Sequence, residues 1–276
     1  MFELPELTTI ARQMNVVLKD KTVREGRLGN TPHKFVWYDR THDEFARLTQ
    51  SAVVGGARAR GKWLFLSLEP DHVLRLGEWG GRILFHQPPA AEPPKYHLLL
   101  TFADGSRLSA TTQMWGGVDL CDRGHELEGK YVQDMRVTPV DPEFTWEYFE
   151  TLADAGAGGG KRSVKGLLTQ EQLIPGLGNA IAQDIMFGAG LSPKRPVRAL
   201  SNGELRRLYE TVVGVVRDVI AGGGRDDEVD LLGEPGSYRR LMSAKSVGAP
   251  CPRCGATIQK LQYMGGACYV CPECQR

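Results

Sequence analysis

Apolar positions along this chain repeat with two different periods. After Pro5 they fall at helical spacing and predict an amphipathic helix (Leu7, Ile10, Ala11, Met14 and Leu18). From about residue 22 to 137, short apolar runs alternate with Gly, Pro and Asp, which is typical of strands. The predicted strands are residues 63–68, 72–76, 82–85 and 96–102, with a turn at 103–106. Several strands at this spacing indicate a sandwich or a barrel-like sheet.

The second half of the chain has the period of helices. A connector is predicted to enter a helix near Asp141 and Pro142, and the glycine-rich run 155–160 suits a domain boundary. Helices are predicted at 161–169 and 179–189, and a third begins at Ser201 with Glu204 completing a capping box. Its apolar stripe ends at three glycines, 222–224 (Leu205, Leu208, Val212, Val216 and Val219).

The overall composition gives little information about function, whereas the local distribution of charge gives more. The 276 residues are 41% hydrophobic and 24% charged, as in ordinary globular proteins, and no apolar run is as long as a membrane span. The first residues carry acids where a secretory signal is basic, so we expect a cytoplasmic protein. The net charge of +1 gives no support for nucleic-acid binding. Residues 236–276, however, carry six basic side chains and one acid, which suits phosphates.

Five of the six cysteines lie in the last 26 residues. Two CxxC pairs, separated by sixteen residues, predict a zinc ribbon in which four thiolates hold one structural Zn²⁺ (Cys251, Cys254, Cys271 and Cys274). A redox dithiol or a disulfide pair is the alternative. Cys268 lies outside the spacing and is predicted to be a packed or free thiol, and Cys121 has no partner in sequence.

A glycine-rich turn precedes the predicted helix at 179–189. Gly176 and Gly178 lead into Asn179, and such a turn exposes backbone N–H groups at a positive helix end, where a phosphate fits. The alternative is a turn that only packs two helices closely. Lys161, Lys165 and Lys194 flank the turn and favour DNA.

These segments together resemble the formamidopyrimidine-DNA glycosylase / endonuclease VIII family from end to end. MFELPE resembles the family's opening MPELPE, and ARGKWLFLSL resembles its basic strand. IPGLGNAIAQDIMFGAGLSPKR resembles its helix–two-turn–helix element, and CPRC…YVCPECQR its zinc finger. The resemblance implies an α+β chain: an N-terminal β-sandwich at 1–138, a linker and connecting helix at 139–160, a helix–two-turn–helix DNA-binding domain at 161–245 and a zinc finger at 246–276.

The family resemblance also implies a partner and a set of contacts. The partner is double-stranded DNA with a damaged base, held between the domains and with the damaged nucleotide turned out, as base chemistry requires. We expect the protein to act as a monomer associated with the nucleoid. By resemblance, Lys62 and Asn179 contact phosphates, and Gly176, Gly178 and Lys165 belong to the same DNA-holding element.

The chain departs from the family pattern at its N-terminus. The family's proline, whose amine attacks the sugar, is replaced by Phe2, so a displaced nucleophile would be the amine of Met1. Phe2 is then expected to fill the space beneath the sugar. Glu3 is retained, and its remaining role is to activate water for hydrolysis of the glycosidic bond. The alternative for Glu3 is an acid that only stabilises the helix N-terminus.

Three further segments differ from the family. Its HLGM segment corresponds to RLGEW (75–79), and its DPRRFG loop to TTQMWG (111–116). Met114 and Trp115 are therefore candidates for an apolar wedge between bases, with a core tryptophan as the alternative. The zinc-hairpin arginine is replaced by Gly266, and Lys260 or Arg253 is the candidate replacement.

Three functions follow from these departures. The first is a monofunctional DNA glycosylase in which Glu3 and water remove a modified base. The second is a non-catalytic protein that binds DNA lesions, and the third is a glycosylase/lyase that uses the Met1 amine. Glu3 favours the first over the second, whereas Phe2 and Gly266 argue against the third.

Overall fold

The amphipathic helix predicted at the start of the chain is α1 (Leu4–Val17), and its predicted apolar positions are buried. A computed structural model describes residues 1–129, 132, 135–156 and 162–276. These residues divide into two units. The first contains Met1–Met135 and Gly222–Ser237, and the second contains Arg136–Ala221 and Tyr238–Arg276.

Two sheets form the body of the first unit. One has the strand order β1-β7-β8-β6 and the other β2-β9-β5-β4-β3, with β2 parallel to β9 and the other pairs antiparallel. The elements are β1 (Val23–Leu28), β2 (Val36–Tyr38), α2 (His42–Thr49), β3 (Val53–Arg60), β4 (Trp63–Glu69), β5 (His72–Gly77), β6 (Gly81–His86), β7 (Leu98–Phe102), β8 (Arg107–Thr112) and β9 (Gly116–Asp122). The four predicted strands are β4 to β7, so the predicted sandwich is confirmed.

The side chains of strand β4 alternate between two hydrophobic cores. Leu64, Leu66 and Leu68 point to the core shared by both sheets and α1. Trp63 and Phe65 alternate with them and pack on the opposite face. The Trp63 ring lies over Gly77 of β5, where any Cβ would collide with the indole. This strand is therefore buried on both faces, which explains its nearly continuous apolar run.

The second unit is helical and ends in a hairpin. Its elements are α3 (Trp146–Gly156), α4 (Val164–Thr169), α5 (Asn179–Ala189), α6 (Asn202–Ala221), β10 (Gln259–Tyr263) and β11 (Gly266–Val270). Helix α5 has the predicted bounds. The capping box before α6 is confirmed, because Ser201 Oγ accepts from the Glu204 N–H and Glu204 accepts from the Ser201 N–H. The apolar stripe of α6 is buried.

Two helix starts differ from the predicted positions. The helix expected near Asp141 begins at Trp146, and the one expected at 161 begins at Val164, where the Ser163 hydroxyl caps it by accepting from Gly166 N–H. Lys161 and most of the predicted joint, residues 157–160, lie outside the described residues.

Segment 222–237 returns to the first unit, although the predicted helical domain runs from 161 to 245. Its Arg225 is 3% exposed and bonds Glu6 of α1, and Leu231 is buried in the sheet core. The predicted domain limits remain a prediction. Among the described residues, none of the helices has the length and apolar character to span a bilayer.

A buried histidine holds the turn between β8 and β9. His97 is fully buried, and its Nδ1 accepts a hydrogen bond of 2.9 Å from the Thr112 N–H. Thr112 in turn donates its hydroxyl to the carbonyl of Trp115, at 2.8 Å. Burial, helped by the charges of His33 and Lys95, lowers the pKa of His97 to about 4. The neutral ring is therefore the form that keeps the turn in place.

This histidine predicts a loss of stability in mild acid. The unfolded chain binds a proton at His97 near pH 6.5, whereas the folded chain binds it only near pH 4. The contribution of neutral His97 to the free energy of unfolding is thus complete above about pH 6.5 and decreases as the pH falls towards 4. The decrease is about 2 kcal/mol between about pH 7 and 4.5. Urea unfolding at the two pH values measures it. His97→Gln keeps a hydrogen-bond acceptor for Thr112 but does not titrate in this range. Its free energy of unfolding should therefore fall less than that of the wild type, by the amount attributed to His97. An equal fall in the variant and the wild type would contradict the prediction.

Candidate functional site

The first two residues are held by contacts within the first unit. The Phe2 side chain is 1% exposed, and its N–H donates to the carbonyl of Trp79 at 3.0 Å. Met1 is 37% exposed, and its α-ammonium lies 2.7 Å from a carboxylate oxygen of Glu228. The buried side chain of Phe2 therefore anchors the start of the chain. The α-ammonium of Met1 lies at the surface, in an ion pair with Glu228.

Glu3 lies beside a buried cluster of charges. It is 4% exposed and caps α1, and its N–H donates to Glu6 at 2.9 Å. The Arg225 guanidinium donates to both oxygens of Glu6, at 2.8 and 3.2 Å, and to the carbonyl of Met1 at 2.9 Å. Burial lowers the pKa of Arg225, but the carboxylates of Glu6 and Glu3 raise it by more, so the pKa lies above its ordinary value. Glu3 thus faces a permanent positive charge.

A cavity of about 600 Å³ opens next to Met1 in the first unit. Its size is that of a pocket for a small organic ligand. Three tryptophans, two carboxylates and one lysine line it together with Met1 (Trp37, Trp63, Trp115, Glu78, Asp119 and Lys62). Burial raises the pKa of Asp119 above its ordinary value, although its ion pair with Arg75 opposes the shift. The cavity combines flat apolar walls with a few charged groups.

Lys62, predicted to contact phosphate, lies in this cavity at the turn between β3 and β4. Its Nζ is 3.7 Å from a carboxylate oxygen of Glu78, and its carbonyl accepts from the Glu78 N–H at 3.2 Å. The side chain is 17% exposed. Its ammonium is thus paired with the carboxylate of Glu78.

Met114 and Trp115, the predicted wedge, lie on the turn between β8 and β9. They are 53% and 41% exposed, so Trp115 is not a core tryptophan. The turn is tied down by Thr112 and by a bond of 3.1 Å from the Gln113 N–H to the Gly80 carbonyl. A Cβ on Gly80 would be 3.4 Å from Met114 and 3.9 Å from Met1. The turn is therefore adjacent to the N-terminus.

Sequence reasoning missed two aromatic residues beside Trp115. Phe35 lies 4.6 Å from Trp115 between ring centroids, and Trp37 lies 5.6 Å from it with the planes 16° apart. Both are exposed, at 38% and 52%. They could have been found from the run FVWY, in which Phe35 and Trp37 are two residues apart and so share one face of an extended segment.

The glycine-rich turn in the second unit leads into α5 as predicted. Gly176 has a φ of +88°, in the left-handed region that favours glycine, and Gly178 is the N-cap of α5. Asn179 is exposed at the first position of the helix, and its side-chain amide donates to the carbonyl of Ala267 at 3.2 Å. The turn and the hairpin are thus joined through Asn179.

Lys165 also joins the helices to the hairpin. It is 2% exposed, and its Nζ donates to the carbonyl of Tyr263 at 2.8 Å. A Cβ on Gly266 would lie 3.3 Å from that Nζ, so the glycine gives the amine room. Lys260 is exposed on β10. Arg253 is also exposed, donates to the Phe187 carbonyl at 3.1 Å and has its guanidinium carbon 4.6 Å from the centre of the Phe187 ring.

The four cysteines of the CxxC pairs converge at the end of the second unit. Their sulfur atoms all lie within 4.8 Å of one another, with 3.9 Å between Cys251 and Cys274 and 3.4 Å between Cys254 and Cys271. Four thiolates around a tetrahedral ion with bonds of about 2.3 Å are about 3.8 Å apart. The donor set therefore fits a metal ion and leaves no open ligand position. Cys268 is fully buried outside the cluster.

Two family models match this chain. The formamidopyrimidine-DNA glycosylase N-terminal domain matches residues 1–114, and the formamidopyrimidine-DNA glycosylase H2TH domain matches residues 136–228. The formamidopyrimidine-DNA glycosylase of Geobacillus kaustophilus is 30% identical over 282 residues and covers all of both chains. The protein of that name from Moorella thermoacetica is 29% identical over 95% of each chain.

Solved structures have the same fold. The crystal structure of the MutM (Fpg) protein of Thermus thermophilus superposes with a TM-score of 0.82, at 26% identity, over 99% of this chain and 98% of that one. The complex of Lactococcus lactis Fpg with DNA containing an abasic site has a TM-score of 0.81 at 22% identity, over 99% of each chain, and supports the fold alone.

The cysteine cluster predicts one metal ion per chain. Cys271→Ser removes a buried ligand, so metal content should fall well below one equivalent and the hairpin β10–β11 should lose protection from hydrogen exchange. Metal analysis and exchange mass spectrometry measure these changes. Cys121→Ser, a cysteine of the first unit, is the matched control and should keep a full equivalent. Full metal content in Cys271→Ser would show that the thiolate is not a ligand.

Proposed function

The chain belongs to the formamidopyrimidine-DNA glycosylase family, and on that premise we propose that it is a DNA glycosylase acting on damaged double-stranded DNA. In this proposal it binds as a monomer and hydrolyses the N-glycosidic bond of a modified base. The observation that carries the proposal is the arrangement of the N-terminus: Phe2 is buried where the family has its nucleophile, while Glu3 is retained beside Arg225.

The proposed reaction uses water as the nucleophile. Glu3 accepts a proton from the water, the water oxygen bonds to C1′ of the sugar, and the bond from C1′ to the base nitrogen breaks. The base leaves with the electron pair and takes up a proton. Negative charge on Glu3 stabilises the oxocarbenium-like sugar. Arg225 lies close enough to Glu3 for the carboxylate to raise the pKa of the guanidinium, so the proposed acceptor is placed beside a permanent cation.

A second candidate is a glycosylase/lyase that uses the Met1 amine. The position of Met1 at the edge of the cavity favours it. Attack needs the lone pair of a neutral amine, however, and the ammonium is in an ion pair with Glu228 at 2.7 Å. A third candidate, a protein that binds lesions without catalysis, leaves the retained Glu3 without a role other than capping α1. Hydrolysis therefore explains more of the N-terminal contacts.

Zinc is the metal that we propose for the four cysteines. Zinc prefers tetrahedral sites with thiolate ligands, and a closed set of four protein ligands is typical of structural zinc. The ion would hold β10 and β11, and through Asn179 and Lys165 it would hold the glycine-rich turn next to them. In the proposed complex, Gly176, Gly178 and Asn179 contact phosphate at the N-terminus of α5, with Lys260 exposed on the hairpin beside them.

Base release should depend on Glu3. Glu3→Gln keeps the size of the buried side chain but removes its ability to accept a proton, so release should slow by about 10²- to 10⁴-fold. The measurement is incubation with duplexes that carry oxidised or alkylated bases, with borohydride present to trap any imine. The wild type should give an abasic product without a trapped adduct.

The controls separate the three candidates. Glu228→Gln removes the partner of the Met1 ammonium and should leave hydrolysis near the wild-type rate. A trapped adduct in the wild type would establish the lyase candidate instead of hydrolysis. Tight binding of a lesion duplex with no product would establish the binding protein.

Lys62 and Asn179 should contribute differently to DNA affinity. Lys62→Ala removes one phosphate contact by a cation, so the slope of log K against log salt should become shallower by about 0.9. Asn179→Ala should weaken binding of all sequences without changing that slope, because the side chain is neutral. Fluorescence anisotropy at several salt concentrations measures both. Lys19→Ala, an exposed lysine outside the site, is the control, and a slope change as large as that of Lys62→Ala would refute the assignment.

A further inference from the structure

The exposed methionines of the chain lie together in the first unit. Of the seven methionines, Met114 is 53% exposed and Met1 is 37% exposed, and the other five are buried or half-buried (Met14, Met135, Met186, Met242 and Met264). A Cβ on Gly80 would lie 3.4 Å from the Cβ of Met114 and 3.9 Å from that of Met1. Both exposed methionines therefore flank one glycine, which places no side chain between them.

The turn that carries Met114 is held by its backbone and by one hydroxyl group. The Gln113 N–H donates to the Gly80 carbonyl at 3.1 Å, and the Gly80 N–H donates to the Trp115 carbonyl at 3.2 Å. The Thr112 hydroxyl donates to the same Trp115 carbonyl at 2.8 Å. None of these three bonds uses the Met114 side chain. A chemical change at its sulfur would therefore alter the surface of the turn and leave the backbone in place.

The cysteines are less open to an oxidant than this methionine. Cys268 is fully buried. Burial raises the pKa of the half-buried Cys121 to about 11, so at neutral pH this residue is a thiol and not the reactive thiolate. The other four cysteines form the proposed metal site, where the ion would hold their sulfur atoms. A thioether has no proton to lose, so its oxidation depends chiefly on access to the sulfur.

We propose that Met114 is a site of reversible oxidation by peroxides, and that its sulfoxide lowers the affinity of the protein for damaged DNA. A lone pair of the sulfur attacks one oxygen of hydrogen peroxide, an S–O bond forms and the O–O bond breaks. The sulfur is oxidised, the peroxide is reduced, and the second oxygen leaves as water with both protons. A methionine sulfoxide reductase restores the thioether, while a dithiol is oxidised to a disulfide and the oxygen leaves as water.

The sulfoxide places a polar group at the predicted wedge. Its S–O oxygen binds water, so moving it between bases costs free energy of desolvation that the thioether does not cost. The inference rests on the proposed function, which supplies the DNA, and on the predicted role of Met114 as an apolar wedge. An oxidant that damages bases would then also lower the affinity of the protein for them, until the sulfoxide is reduced.

DNA binding before and after peroxide treatment tests the proposal. The probe is a duplex that carries tetrahydrofuran, an abasic analogue that leaves a gap in the base stack and has no base to release. Hydrogen peroxide should raise the Kd of the wild type for this duplex by about 5- to 50-fold, as the loss of one apolar contact would. Incubation with methionine sulfoxide reductase and dithiothreitol should restore the Kd. Peptide mass spectrometry should find the first added oxygen on Met114.

Two leucine variants separate Met114 from the other oxidisable residues. Met114→Leu has no sulfur at this exposed position, so its Kd should be the same before and after treatment. Met264→Leu removes a half-buried methionine of the second unit and should respond to peroxide as the wild type does. An equal response of Met114→Leu and the wild type would overturn the proposal. So would an unchanged Kd in wild-type protein whose Met114 is oxidised.

The same measurements separate this proposal from the proposed function. Untreated wild type that binds the tetrahydrofuran duplex no more tightly than fully paired DNA would refute the proposed function. Mass spectra that show oxidation of Met135 or Met264 before Met114 would instead refute the assignment of the oxidation site. The two failures are therefore distinct.

Discussion

A buried guanidinium fixes the position of the N-terminal residues. Arg225 is 3% exposed, and it bonds both oxygens of Glu6 and the carbonyl of Met1, while Glu228 of the same segment pairs with the amine. Removing one partner of such a buried pair costs about 3–5 kcal/mol, because the other charge stays buried. These ion pairs join segment 222–237 to the rest of the first unit. They also place the positive charge of Arg225 near Glu3.

The resemblance places Phe2 where the family has its N-terminal proline, and the proposed hydrolysis follows from that difference. The Phe2 ring is buried and its N–H bonds Trp79, so the backbone at this position is a structural anchor. The amine moves one residue outwards and is held by Glu228. What remains beside the buried charges is a carboxylate, which suits proton transfer to and from water better than covalent attack. The proposed hydrolysis thus uses Phe2 as an anchor and Glu3 as the proton acceptor.

Regular patterns in the sequence predicted the parts of the structure that depend on local spacing. The bounds of α5, the capping box at Ser201 and the four converging cysteines all follow from residues close together in sequence. The Arg225–Glu6 pair joins residues 219 apart, and no local pattern identifies its partner. The same holds for Trp37 and Trp115, whose contact depends on the parallel pairing of β2 with β9, a register set by the whole sheet.

Two glycines leave open space beside neighbouring groups, one in each unit. A Cβ on Gly117 would meet nothing closer than 3.9 Å, and Gly266 leaves room for the buried ammonium of Lys165. In each case the loss of a side chain is matched by a neighbouring group that occupies or borders the space. A glycine in a strand weakens the strand, because it adds no packing and loses more backbone entropy on folding. Gly117 in β9 and Gly266 in β11 therefore keep this space at a cost in strand stability.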